Sequence, residues 1–152
     1  MPLVLLAHGV TAGVMVGTAM GVVPMTRAQP YDRYVWTIQF LWPRYDPFMP
    51  IVNGLALVLG VTLAATAPGG AARALFALAA ALLVVVMAIS VLKNVPINRF
   101  VMALDPARRP ADWAELDPRA RWRAWNLLRT GLHLLALGAN LGATGALLAG
   151  GS

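Results

Sequence analysis

The run ALFALAAALLVVVMAISVL, residues 74–92, decides the class of fold, because it carries no charged side chain and is long enough to cross a membrane as a helix. A helix rises about 1.5 Å per residue, and the hydrocarbon core of a bilayer is roughly 30 Å thick. Outward from this run, three others also lack Asp, Glu, Lys and Arg: residues 1–26, 47–72 and 130–152. The composition agrees, since 59% of the residues are hydrophobic and only 12% are charged. An ordinary soluble domain is far less apolar.

The sequence therefore predicts one all-α transmembrane domain over residues 1–152, an integral membrane four-helix bundle. The predicted spans cover residues 3–24, 50–68, 73–93 and 120–149. Between the second and third spans the turn Pro68-Gly69-Gly70 predicts a short antiparallel hairpin.

The first connector, residues 25–49, is rich in aromatic residues. Its apolar positions within residues 31–42 follow helical spacing, which predicts an amphipathic helix lying at the membrane interface. Pro43, Pro47 and Pro50 are predicted to break the chain before the second span.

The net charge of +6 is distributed along the borders of the predicted spans. Ten of the twelve basic residues lie in or beside the first and third connectors, and Arg73 lies in the opposite turn. Under the positive-inside rule, both long connectors are cytoplasmic and both termini lie outside, in a multi-pass protein of the inner membrane. The predicted partner of this charge is the lipid bilayer and not nucleic acid, because no basic and aromatic groove motif accompanies it.

The first span carries Gly9, Gly13, Gly17 and Gly21 at four-residue spacing, which places them on one stripe. Small residues of this kind let helices approach closely in lipid. The stripe therefore predicts tight packing, either on another helix of the chain or on a second copy in a homo-oligomer. His8 lies beside the stripe and is interpreted as a structural residue.

Polar residues recur on one face of the last predicted helix: Trp122, Asn126, Arg129, His133 and Asn140. Polar side chains on one face of a helix are energetically unfavourable if that face contacts lipid. Two interpretations of Arg129 stay open, because its guanidinium either extends to the lipid headgroups or bonds to nearby amides in a fixed site.

The third span ends in KNVPIN, residues 93–98, and Trp113 lies in the connector that follows. The last span opens with WRAWNLLR, residues 122–129. This combination, on a chain of about this length with a glycine-rich first span, resembles the small bacterial membrane proteins related to fungal anthrone oxygenases. The matching positions are Asn94, Pro96, Asn98, Trp125, Asn126 and Arg129. Related sequences often have His where this one has Leu127.

The resemblance implies oxidation of a polycyclic anthrone to an anthraquinone by O2 as co-substrate, with no required metal or flavin. Chemically, such a reaction needs a base, stabilisation of an anion and a dry pocket. We assign His133 as the base and Arg129 as the main stabiliser of the oxyanion, both catalytic. The predicted substrate-binding residues, in a pocket at the cytoplasmic end of the bundle, are Asn94, Asn98, Trp113, Trp122, Trp125 and Asn126.

The sequence leaves other functions open. A haem or metal site is disfavoured, because His8 and His133 are the only histidines and are expected about 10 Å apart in depth. The alternative to an enzyme is a helix-packing scaffold or a small transport or partner subunit. An enclosed pocket around Asn126, Arg129 and His133 would favour ligand binding, whereas a filled bundle end would favour a scaffold.

Overall fold

The computed structural model describes residues 1–150, and all regular structure in that part of the chain is helical. Gly151 and Ser152, the end of the predicted domain, lie outside the described residues. The elements, in chain order, are α1 (Pro2–Gly17), a π-helical turn (Thr18–Val22), α2 (Val23–Ala28), α3 (Tyr31–Thr66), α4 (Gly70–Ile89), a second π-helical turn (Ser90–Asn94), α5 (Val95–Met102), α6 (Trp113–Leu116) and α7 (Arg119–Ala149).

Four helical stretches are long and apolar enough to cross a membrane, and they begin at Pro2, Tyr31, Gly70 and Trp113. Large apolar side chains cover the outside of the bundle, as shown by the exposed fractions of Met20 (77%) and Ile51 (69%). In water such a surface would be costly, but in lipid it is the expected arrangement. The predicted all-α four-helix class is confirmed.

Each long helix packs on two neighbours: α1 contacts α3 and α7, and α4 contacts the same two helices. Small residues form the closest contacts, as in the buried cluster of Ala79, Ala136 and Ala139 between α4 and α7. Because alanine has almost no side chain, the two backbones approach closely, which favours association in lipid. The four long helices therefore follow one another around the bundle in the order α1, α3, α4, α7.

The predicted break at the three prolines of the first connector is wrong. Helix α3 continues from Tyr31 to Thr66 through Pro43, Pro47 and Pro50, so residues 31–42 are helical as predicted but continuous with the second span. All three prolines lie on exposed positions. At exposed positions, interfacial water can bind carbonyl groups that a proline leaves without a backbone partner.

Pro96 does not stop the third span either. The helix passes into α5 through the π-helical turn, in which the backbone N–H of Val95 donates to the carbonyl of Ser90, five residues earlier. The same arrangement precedes Pro24, where the N–H of Val23 donates to the carbonyl of Thr18. One wide turn before each proline accommodates the missing N–H and keeps the helix continuous.

The two long connectors meet at one end of the bundle. The hydroxyl of Tyr31 donates to the carbonyl of Asp105 at 2.9 Å, and Arg119 Nη1 donates to the carbonyl of Gln29 at 2.8 Å. Helix α7 begins close to the predicted position, and the Asp117 carboxylate accepts the backbone N–H of Arg119 at 3.0 Å. The start of α1, the end of α7 and the turn at Gly69 consequently lie at the opposite end.

The glycine stripe of α1 and the following π-helical turn does not pack against any of residues 1–150. A Cβ placed on Gly9, Gly13, Gly17 or Gly21 would meet nothing within 4 Å. The face that α1 buries in the bundle instead carries Val4, Ala7, His8, Thr11, Ala12 and Met15. The predicted packing of the stripe on another helix of the chain is therefore wrong, and its contact with a second copy stays a prediction.

Candidate functional site

A cavity of about 190 Å³ lies in the half of the bundle nearest the connectors. Side chains from all four spans line it, and both π-helical turns contribute residues. Six of the eight predicted site residues reach it: Asn94, Asn98, Trp122, Asn126, Arg129 and His133. The bundle end is thus not filled by its own side chains, which is the arrangement that favours ligand binding over a scaffold.

The guanidinium of Arg129 points into the bundle. Its Nη1 donates to the hydroxyl oxygen of Ser90 at 2.7 Å, and its Nη2 donates to Oδ1 of Asn126 at 2.7 Å. Ser90 in turn donates to the carbonyl of Val86 at 2.8 Å. The alternative in which Arg129 extends to the lipid headgroups is therefore wrong.

Arg129 has no carboxylate partner within the described part of the chain, where the ion pairs are Arg108–Asp105 and Arg119–Asp117. Its Nε–H is buried and lacks a hydrogen-bond acceptor among residues 1–150. A cation held by neutral groups is an attractive site for a ligand that carries or develops negative charge.

Two asparagines beside Arg129 differ in how firmly they are held. The amide of Asn126 is held at both ends, because Nδ2 donates to the carbonyl of Trp122 and Oδ1 accepts from Arg129. Asn94 is only 2% exposed, yet neither its Oδ1 nor its Nδ2 has a partner among the described residues. Burying an amide in this way costs about 1–3 kcal/mol. Asn126 therefore positions Arg129, whereas Asn94 has hydrogen-bonding capacity left for a ligand.

His133 and His8 are in contact, so the expected 10 Å separation in depth is wrong. Nδ1 of His133 lies 3.4 Å from Nε2 of His8, and the two rings meet edge to face. The register of α1 on α7 explains the contact. Thr130 donates to the carbonyl of Met15 at 3.3 Å, and counting back two turns along α1 places His8 between His133 and Asn140.

The buried polar chain continues past the histidines. Nδ2 of Asn140 lies 2.9 Å from Nδ1 of His8, and all three side chains are 1% exposed. Nε2 of His133, at the other end of the chain, has no partner among residues 1–150, and His133 lines the cavity. No group of three or more His, Cys, Asp or Glu side chains suited to a metal ion occurs in the described chain.

Two predicted substrate-binding tryptophans lie away from the cavity. Trp113 is 3% exposed and packs edge to face on Tyr31, with ring centroids 4.7 Å apart, in a core cluster beneath the connectors. Trp125 is half-buried and does not line the cavity, and Lys93 Nζ lies 5.5 Å from the centre of its ring. Leu127 is 41% exposed and does not line the cavity. A histidine at position 127 would therefore point away from this site.

Sequence reasoning missed His8, Ser90 and Asn53 as members or supports of the site. Asn53 lines the cavity, and its Oδ1 has no partner in the described chain. The glycine stripe marks the exposed face of α1, whereas His8 lies on the buried face with Thr11 and Met15. Ser90 could have been predicted as a site residue, because it is the only hydroxyl residue of the third span and precedes Asn94 by one helical turn.

Four helices apolar enough to cross a membrane, with a cavity between them, define the class of molecule: a multi-pass membrane protein with an internal cavity. The family model described as Anthrone oxygenase matches residues 36–139, about two-thirds of the chain. The chain therefore belongs to the anthrone oxygenase family. Separate comparisons with curated proteins and with solved structures found no match.

Proposed function

We propose that this protein binds a hydrophobic phenolic or polycyclic compound in the cavity and oxidises it with O2 to a quinone. One observation carries the proposal: Arg129, Asn94 and His133 all line a cavity with an otherwise mainly apolar and aromatic lining, and each has a buried hydrogen-bonding atom without a partner among residues 1–150. Apolar side chains would hold the rings, and the polar group would orient one oxygen. Apolar substrates and O2 both partition into lipid, which suits a site within a membrane bundle.

The lining is compatible with a ligand of fused aromatic rings. Ile38, Trp42, Met49 and Trp122 supply apolar surface, and the volume of about 190 Å³ corresponds to roughly a dozen water-sized spaces. Aromatic side chains would stack on the ligand rings, while the flexible Met49 adapts to their edges.

In the proposed reaction, Nε2 of His133 removes a proton from the carbon opposite the substrate carbonyl. The product is an aromatic enolate, whose oxygen accepts hydrogen bonds from Arg129 and Asn94, with Asn98 nearby on the lining. One electron passes to O2, and the two radicals combine to form a carbon–peroxide bond. His133 then returns its proton to the peroxide, and loss of the second carbon-bound proton with cleavage of the O–O bond yields the ketone and water.

In this scheme one CH2 group and one O2 become one C=O group and one H2O. The electron-rich enolate itself reduces O2, so the proposed reaction needs no metal or organic cofactor.

We further propose that the connector end faces the cytoplasm in an inner-membrane protein. Arg108 and Arg109 lie in the third connector, with Arg121 and Arg123 in the following turn of α7, whereas Arg73 is at the other end. This asymmetry supports the orientation with both termini outside.

The test is O2 uptake and quinone formation by membranes containing the protein, supplied with a panel of anthrones and quinols. His133→Ala and Arg129→Gln should each lower the activity strongly, whereas Arg123→Gln, on an exposed turn of α7, should not change it. Unchanged rates in both His133→Ala and Arg129→Gln would contradict the proposal.

The glycine stripe supports a second role as a helix-packing partner. Its four glycines, three on α1 and one in the π-helical turn that follows, are left uncovered by residues 1–150, which suits association with another copy of the chain. This role does not use the cavity and is compatible with the enzymatic one.

A further inference from the structure

The hydrogen bonds behind His133 determine what its cavity-facing nitrogen can do. The amide Nδ2 of Asn140 is a donor, so Nδ1 of His8 must accept from it at 2.9 Å. A neutral His8 then carries its proton on Nε2 and donates to Nδ1 of His133 at 3.4 Å. A neutral His133 consequently has its proton on Nε2, the nitrogen at the cavity. In this arrangement His133 is a hydrogen-bond donor and not a base.

Rotating the side-chain amide of Asn140 by 180° exchanges the donor and the acceptor in both hydrogen bonds of the chain. Oδ1 would then accept from Nδ1–H of His8, Nε2 of His8 would accept from Nδ1–H of His133, and Nε2 of His133 would present a lone pair to the cavity. In both arrangements each of the two hydrogen bonds along Asn140, His8 and His133 pairs one donor with one acceptor.

The surroundings of Asn140 permit this half-turn. Its Oδ1 has no partner among residues 1–150, and the structure records a bond from its Nδ2 only to His8, so rotation breaks no other recorded bond. Asn126 provides the contrast on the same helix, because Trp122 and Arg129 hold the two ends of its amide. The two asparagines are chemically identical, but only one is free to turn.

Resting on the function proposed above, we propose that Asn140 and His8 are positioning residues that set the tautomer of His133. With Oδ1 toward His8, His133 accepts the carbon-bound proton at Nε2. Its Nδ1 proton can then move to Nε2 of His8, which spreads the positive charge over both rings. With Nδ2 toward His8, the Nε2–H of His133 donates to an oxygen of the peroxide or product. Neither Asn140 nor His8 lines the cavity, so neither touches the substrate.

The test uses Asn140→Leu in the full chain, with Thr144→Val as the matched control one turn along α7. Leucine leaves no acceptor for Nδ1–H of His8, and an unsatisfied buried donor is costly, so the variant should hold both rings in the Nε2–H form. We expect kcat to fall roughly 10- to 100-fold, the range for losing a group that orients a functional histidine, while KM stays unchanged. Thr144→Val should alter neither constant.

The second measurement does not depend on turnover. Nitrogen NMR of histidine-labelled protein in nanodiscs should show two tautomers exchanging in concert at His8 and His133 in the natural chain. A quinone ligand and Asn140→Leu should each shift both rings to the Nε2–H form. A natural chain in which His133 stays in one tautomer with and without quinone would overturn the switch. An Asn140→Leu variant in which both tautomers are still populated would also overturn the proposed switch. Absence of anthrone turnover in the natural chain would instead contradict the proposed function, and the NMR result would still decide the switch.

Discussion

Nη1 of Arg129 lies 2.7 Å from the hydroxyl oxygen of Ser90, which joins the middle of α7 to the π-helical turn that ends α4. The bond connects two helices of the bundle at the position where the third span widens. Since Nη2 is held by Asn126, the guanidinium is fixed on two sides, and its buried Nε–H has no acceptor among residues 1–150. A fixed donor of this kind can stabilise charge without first reorganising.

Substituting Arg129 by Gln should lower kcat for anthrone oxidation by roughly 10²- to 10³-fold, the usual cost of losing one oxyanion donor. Ser90→Ala should give a smaller loss, because Asn126 still holds the guanidinium. Initial rates of O2 uptake measure both variants. If Ser90→Ala were as damaging as Arg129→Gln, Ser90 would have a role beyond positioning.

Asn94→Leu should make the protein more stable and less active. The amide is 2% exposed and unpartnered within the described chain, so leucine removes a desolvation cost and should raise the free energy of unfolding by about 1 kcal/mol. Loss of the amide should also weaken binding of a quinone. Urea titration in micelles and quinone binding measure the two effects.

Asn126→Leu is the control for this variant. It removes an acceptor of Arg129 and should lower the free energy of unfolding by about 1–3 kcal/mol. Equal destabilisation by the two substitutions would mean that Asn94 is bonded within the fold.

Two substitutions should distinguish a tryptophan that stabilises the fold from one that contacts the substrate: Trp113→Ala and Trp122→Ala. Trp113 packs on Tyr31 and Tyr34 in a buried cluster, so its truncation should cost about 3–5 kcal/mol of unfolding free energy. Trp122 borders the cavity, and its truncation should chiefly raise KM. A raised KM with unchanged stability in Trp113→Ala would contradict this assignment.

Arg119→Gln should loosen the junction of the connectors. Arg119 pairs with Asp117, donates to the carbonyls of Thr26 and Gln29, and has its guanidinium 5.2 Å from the ring centre of Tyr34. Because the pair is partly exposed, we expect a loss of only about 1–2 kcal/mol in unfolding free energy. Arg121→Gln, on an exposed neighbouring position, should have little effect. A loss of similar size in both variants would indicate a general charge effect.

Gly13→Leu tests whether the glycine stripe packs on a second copy. A Cβ there meets nothing within 4 Å, so the monomer should fold with equal or slightly higher stability. Any dimer that uses the stripe should dissociate, which light scattering of the solubilised protein detects. Gly60→Leu is the contrast, because its Cβ would lie 3.7 Å from that of Ala80 and the larger side chain should destabilise the bundle itself. A stable dimer in Gly13→Leu would rule out the stripe as the interface.

The sequence correctly predicted the features that depend on one helix alone. Helical spacing placed Asn126, Arg129 and His133 on one face, and all three line the cavity. It was uninformative where two helices must be aligned, because register depends on side chains that interlock only after the chain folds. The contact of His8 with His133, and the burial of Trp113 away from the cavity, are both of this kind.

By itself, the sequence determined that this chain is an all-helical protein with four stretches apolar enough to cross a membrane. Length and hydropathy are properties of each segment alone, and lipid imposes internal backbone bonding on all of them. Tertiary structure alone decided that α3 runs through three prolines, that the glycines of α1 face outward, and that His8 completes a chain from Asn140 to His133. These features depend on which faces of different helices meet, a choice made by packing among the helices together.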